Sequence, residues 1–211
     1  MLTIEIVSDI VCPWCFIGTR RLAVAIAMVR TREPDFECRK LWRPFFLNPD
    51  TPPEGEPYLP FLIRKFGGRQ EVEALFDRVR AAGRSCGVEY AFEKIALRAN
   101  TQQAHRLLHW VQARGDADAL VERLFVAQFR RGEHVGDAAV LARIAAECGY
   151  PAAEASAYLE SDADVEVVRE MERAYRARGI NQVPTFIVGG GNIVVGAEDP
   201  TVLATAILES L

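Results

Sequence analysis

Two cysteines spaced three apart, Cys12 and Cys15, stand where one periodicity gives way to another. Before them, "LTIEIVSD" alternates apolar and polar residues and is rich in β-branched side chains, which predicts a strand over residues 2–8. After them, Ile17, Leu22, Ile26 and Val29 share one face of a helix over 13–31. Pro13 falls in its first turn, where a helix tolerates proline. Glu33-Pro34-Asp35 ends that helix, and "FECRKLWRPFFL" (36–47) reads as a second strand. The chain therefore opens strand, CxxC, helix, strand.

"NPDTPPEGEP" (48–57) is rich in proline and reads as loop. Helical patterns follow at 58–67, 69–85, 101–114, 117–131, 137–148, 151–160 and 162–178, punctuated by glycine and proline. Near the end, "PTFIVGGGNIVVGAEDP" predicts two short strands around Gly189-Gly190-Gly191, and a last helix spans 200–210. The order is β-α-β, a helical block, then β-β-α. The outer pieces, 1–47 and 180–211, are expected to share one α/β sheet, with 48–179 inserted as a helical domain.

The chain has 211 residues, enough to bury a substantial core. Its net charge of −4 offers no basic surface for nucleic acid. No apolar stretch reaches the ~20 residues a membrane helix requires. The N-terminal stretch lacks a basic leader and is interrupted by Glu5 and Asp9, so a cytoplasmic protein is expected. Five cysteines are too few, and odd in number, for a disulfide-stapled scaffold.

In a reducing compartment a CxxC pair reads as redox-active or metal-binding before it reads as structural. At a helix start the first cysteine caps the helix and the second lies one turn in. The helix dipole and free N–H groups favour negative charge there, which makes Cys12 the candidate nucleophile and Cys15 the resolving thiol. Pro13 holds the turn, and Trp14 sets an exposed aromatic beside the sulfur. The competing readings are half a zinc site and two packed thiols. Zinc requires a second CxxC or CxxH, which the sequence lacks, so no metal is expected. Pro184, in "NQVPTFIV", reads either as a strand-start proline or as a cis-proline that leaves the Val183 backbone open.

"SDIVCPWCFIGTRRL" with the distal "VPTFIV" resembles the DsbA-like thioredoxin superfamily, most of all the FrnE-type cytoplasmic oxidoreductases. "FFLNPD", "NTQQAHRLLHW" and "GINQVPTFIVGG" extend the resemblance over nearly the whole chain. It implies a thioredoxin-like fold with a helical insertion, and thiol–disulfide exchange on disulfide- or thiol-bearing proteins. By the same resemblance Cys12 and Cys15 fall on the active-site cysteines and Pro184 on the cis-proline. Val183 would then offer its backbone to substrate, and Asn100 and His105 would face the thiols, either of them reading equally as a helix cap or a satisfied core residue. Kappa-class glutathione transferases and 2-hydroxychromene-2-carboxylate isomerases are similar too, but usually carry serine where Cys12 stands. Cysteine there favours redox exchange. Glutathione stays open as a redox partner and a glutathione-dependent small-molecule reaction as the alternative, as does a peptide-binding module with an idle CxxC. A homodimer is also open, and no resident cofactor is expected.

Among the remaining residues, His105 and His109 sit four apart on a helix, a spacing that can hold a metal but here reads as packing. Cys38 reads as a buried strand residue and Cys86 as an exposed helix-end thiol, not paired with Cys148. Phe45, Phe46, Tyr58 and Phe61 read as core, or as the edge of a peptide groove. The charged run 162–179 reads as a solvated helix face.

Overall fold

A computed structural model describes residues 1–211. The alternation at the N-terminus builds β1 (Leu2–Ser8), α1 (Pro13–Arg32) follows, and β2 is Cys38–Pro44. The C-terminal segment adds β5 (Thr185–Val188), β6 (Asn192–Val195) and α9 (Pro200–Leu208). Between them lie β3 (Glu56–Pro57), α2 (Tyr58–Phe66), α3 (Arg69–Arg84) and β4 (Leu97–Arg98). Five further helices complete the insertion: α4 (Gln102–Gln112), α5 (Asp118–Val126), α6 (Ala138–Glu147), α7 (Ala152–Glu160) and α8 (Val165–Ala177).

The four long strands form one sheet in the order β2-β1-β5-β6. β1 and β2 run parallel with Leu2 opposite Cys38, while β5 runs antiparallel to β1 with Ile4 opposite Val188. The period-two alternation of β1 decides what each face meets. Ile4 and Ile6 join the main core, where α1 packs against α9. Val7 turns to the opposite face and packs with Phe45, Tyr175, Ile180 and Ile187, so α8 covers that side. This is a thioredoxin-like fold, and it matches the expected order of elements.

Three features depart from the sequence reading. The expected loop ends in β3, which pairs with β4 as a two-residue ribbon. The helix expected over 117–131 stops at Val126 and widens into a π turn, Ala127–Arg131. Gly132 (φ 67°) ends that turn because a Cβ there would come within 2.2 Å of the Lys94 carbonyl oxygen. The charged run begins its helix only at Val165, and one of its acidic residues, Glu172, is buried.

An aromatic run ties α1 to the insertion. Phe16 stacks on Phe125 with ring centres 5.0 Å apart, and Phe76 stacks on Phe92 at 4.2 Å. Tyr90 lies between these groups, 5.1 Å from Phe92 and edge-on to Phe16.

Candidate active site

Cys12 is the N-cap of α1, with extended backbone (φ −92°, ψ 111°), and Pro13 follows in the first turn. Cys12 donates its backbone N–H to the Asp9 carbonyl (3.0 Å), and Cys15 donates its own to the Cys12 carbonyl (3.0 Å). These two turns fix the sulfurs on the same end of the helix. The first turn of α1 has no side-chain cap and no acidic residue. Its positive terminus therefore faces the dithiol.

Both cysteines are free thiols. Cys12 is buried, and it helps to line a cleft of about 270 Å³. Trp14, expected as an exposed aromatic, is only half-exposed, and it shares the cleft lining with residues of the insertion. Cys15 is sealed beneath it at 0% exposure. Burial, and then the neighbouring Cys12 sulfur, push the Cys15 thiol well above its ordinary range. The Asp9 backbone N–H and the Ser8 hydroxyl oppose that rise.

Cys12 Sγ donates to the Val183 carbonyl oxygen at 3.7 Å, across 171 residues of chain. The Val183–Pro184 peptide bond is cis. Gly18 lets this segment approach α1, since a Cβ at Gly18 would lie 2.8 Å from Pro184 Cγ. Cys12, Pro13, Trp14, Cys15, Val183 and Pro184 thus converge on one locus.

Asn100 and His105 occupy different places. Asn100 Nδ2 donates to the Thr51 carbonyl (2.7 Å) and its Oδ1 accepts from the Gln102 N–H (3.0 Å), so it serves the start of α4 and does not line the cleft. His105 is buried behind the dithiol loop, with Nε2 3.2 Å from Asp9 Oδ1 and its ring edge-on to Phe46. The other Asp9 oxygen accepts the Leu47 N–H at 2.8 Å. His105 therefore braces the loop before Cys12 through Asp9.

Four further residues belong to the site that the sequence did not single out. Ser8, buried beside Cys15, has a hydroxyl with no firm hydrogen-bond partner. Tyr90 donates its hydroxyl to the Pro13 carbonyl at 2.6 Å, and burial keeps that phenol protonated. Gln128, on the π turn, and Lys65, on α2, line the cleft. Ser8 adjoins the CxxC stretch and was legible by position; the others come from 50 or more residues away with no local signal. Cys38 proves half-buried rather than buried. Cys86 is half-buried too, its thiol bonded to the Gly83 carbonyl at 3.3 Å.

A dithiol at the N-terminus of the first helix, on a sheet of this order, defines the thioredoxin class of thiol oxidoreductases. The chain belongs to the DSBA-like thioredoxin domain family, whose model matches residues 3–208. The uncharacterised protein YwbO of Bacillus subtilis is 27% identical over 205 residues, covering 97% of this chain and 94% of its own. Among solved structures, SCO1869 of Streptomyces coelicolor, a probable DsbA oxidoreductase, is 30% identical with a TM-score of 0.90, covering 100% of this chain and 90% of its own. The cytosolic disulfide reductase DsbM of Pseudomonas aeruginosa, also solved with glutathione, shares the fold at 17% identity and a TM-score of 0.64, covering 99% of this chain.

Proposed function

We propose that the protein exchanges thiols and disulfides with protein substrates, with Cys12 as nucleophile and Cys15 as resolving thiol. The carrying observation is the asymmetry of the pair: Cys12 opens on the cleft and Cys15 is sealed behind it. Only Cys12 can meet an incoming disulfide, and only Cys15 can meet the resulting mixed disulfide from within.

In the reducing direction, the Cys12 thiolate bonds to one sulfur of the substrate disulfide, and the other sulfur leaves as a thiolate and takes up a proton. Cys15 loses its proton and bonds to Cys12 sulfur, which breaks the mixed disulfide and releases the second substrate thiol. Two electrons pass to the substrate and the protein is left with a Cys12–Cys15 disulfide. The reverse sequence oxidises a substrate dithiol. Both electrons reside on the two sulfurs, so the cycle requires no resident cofactor. The Val183 carbonyl, bonded to Cys12 in the thiol form, is freed when that proton leaves, and the Val183 backbone supplies a docking edge for the substrate chain beside Pro184. The cytosolic DsbM relative and its glutathione complex support a reducing setting, with glutathione as a redox partner.

The test is a redox titration in glutathione buffers with acid-quenched thiol counting, alongside Cys12→Ser and Cys15→Ser. A reversible two-electron transition is expected, lost in Cys12→Ser, with stable mixed disulfides accumulating in Cys15→Ser. Exchange that persists in Cys12→Ser overturns the assignment.

A further inference from the structure

A second hollow, of about 260 Å³, opens between the head of α4, the segment 46–49 and α8. Phe46 and Pro49 are the only apolar residues in its lining. None of the steps of thiol–disulfide exchange uses it.

The head of α4 leaves its donors free. Thr101 stands at the N-cap, but its backbone (φ −94°, ψ 3°) is not in the extended conformation from which a threonine caps a helix, and its hydroxyl makes no capping bond. Thr101 is 5% exposed, and it lines the hollow with no protein partner for that hydroxyl. Asn100 Oδ1 accepts the Gln102 N–H at 3.0 Å. The next two N–H groups, of Gln103 and Ala104, donate to no carbonyl of the protein. The first turn holds no acidic side chain. A buried hydroxyl and the positive end of a helix therefore meet at one end of the hollow.

Two cations of α8 complete the lining. Arg169 is oriented by Gln102, whose Oε1 accepts from its Nε (2.9 Å) and Nη2 (2.7 Å). Arg173 lies one turn further on. Glu166, exposed and outside the lining, reaches Arg173 at 2.5 Å and Arg169 at 3.8 Å, and Glu170 lies 3.9 Å from Arg173. Exposed pairs of this kind hold their partners weakly, so both guanidinium groups can turn to a ligand. The one carboxylate in the lining, Glu172, is buried and pairs with Arg176 of its own helix. Guanidinium donors match phosphate oxygens in pairs. A tetrahedral dianion can take arginine donors on one side and the hydroxyl and helix N–H groups on the other. A planar carboxylate has too few oxygens to use both.

We propose that this hollow binds a phosphomonoester of a small polar molecule, with the phosphate seated between the head of α4 and Arg169 and Arg173. Its volume is below the ~300–1,000 Å³ of pockets for drug-sized ligands and leaves room for a carrier of a few atoms beside the phosphate.

The experiment titrates the full-length protein with glycerol phosphate, inorganic phosphate, glycerol and acetate. It is run by calorimetry at constant ionic strength in a buffer free of phosphate and sulfate, with phosphorus NMR line broadening as a second readout. Saturable binding of glycerol phosphate is expected, with inorganic phosphate competing more weakly and glycerol and acetate silent. Thr101→Val keeps the shape of the side chain and removes the hydroxyl; Arg173→Gln changes an exposed residue. Each is expected to weaken binding about tenfold, the loss of one hydrogen bond to a charged group. Arg173→Gln carries the test if Thr101→Val fails to fold. Arg78→Gln, at an exposed arginine outside the hollow, is expected to change nothing. Absence of saturable binding overturns the site, as does acetate binding as tightly as glycerol phosphate, or an equal loss in Arg78→Gln. Inorganic phosphate binding as tightly as glycerol phosphate overturns the phosphomonoester and assigns the hollow to the free ion.

Discussion

Ser8 and Cys15 make a pair whose meaning emerges only when the resolving step is considered. In the proposed cycle Cys15 gives up its proton in a fully buried site, where burial and the Cys12 sulfur hold the thiol up. A raised thiol pKa means that the reactive thiolate is scarce at neutral pH and grows as pH rises. Collapse of a mixed disulfide onto Cys15 is therefore expected to accelerate with pH beyond the ordinary thiol range. The Ser8 hydroxyl has no firm partner of its own and works against that rise. Ser8→Ala removes a donor worth on the order of 1.5 kcal/mol to a charged acceptor, which is about tenfold in rate at neutral pH. Stopped-flow collapse of a preformed Cys12 mixed disulfide checks this. An unchanged pH profile would make Ser8 a spacer only. The sequence exposed Cys12 and Cys15 because their spacing is local. It did not expose Ser8's role, because a serine at a strand end carries no signal until the sulfur's burial is known.

Among elements, α1 and α4 depend on distant carbonyls and side chains. The first turn of α1 is tied to the insertion by the Tyr90–Pro13 hydrogen bond. α4 is tied to the last turn of α7 and the segment after it by Arg106, which is 1% exposed. Its guanidinium donates to the carbonyls of Tyr158 (2.9 Å), Leu159 (3.1 Å), Ser161 (2.7 Å) and Ala163 (2.8 Å). Arg106→Met keeps the apolar stem and strands four acceptors. A loss of about 3 kcal/mol or more is expected in denaturant unfolding. A change below 1 kcal/mol would show that water takes the guanidinium's place. The helices and long strands were legible because each repeats its own period over seven or more residues, or sits between strong turn residues. The β3–β4 ribbon and the π turn were not. The ribbon is two residues long and its partner lies some 40 positions away, and the π turn differs from α-helix by a hydrogen-bond shift that leaves the apolar pattern almost intact. Asn100 left two readings open for a related reason: a polar residue before a helix serves its start as readily as it serves chemistry, and its hydrogen bonds to Thr51 and Gln102 are those of a cap.

For the molecule as a whole, one apolar core runs through both the sheet and the insertion. It joins Ile4 and Phe186 to Phe125 and Leu141. The two halves share this interior, so calorimetry is expected to give a single unfolding transition. Two resolved transitions would show that the insertion melts on its own. The sheet is closed at its centre by β1 and β5, from opposite ends of the described chain, and Cys12 meets Val183 across 171 positions. During synthesis the dithiol leaves the ribosome 171 residues ahead of Val183. Its neighbours in β5 and the cis-proline segment follow only after most of the chain has been made. Until then β1 and β2 present an unpaired edge, with two reactive thiols at its tip. The nascent chain thus exposes, until β5 emerges, the two thiols that the finished fold buries.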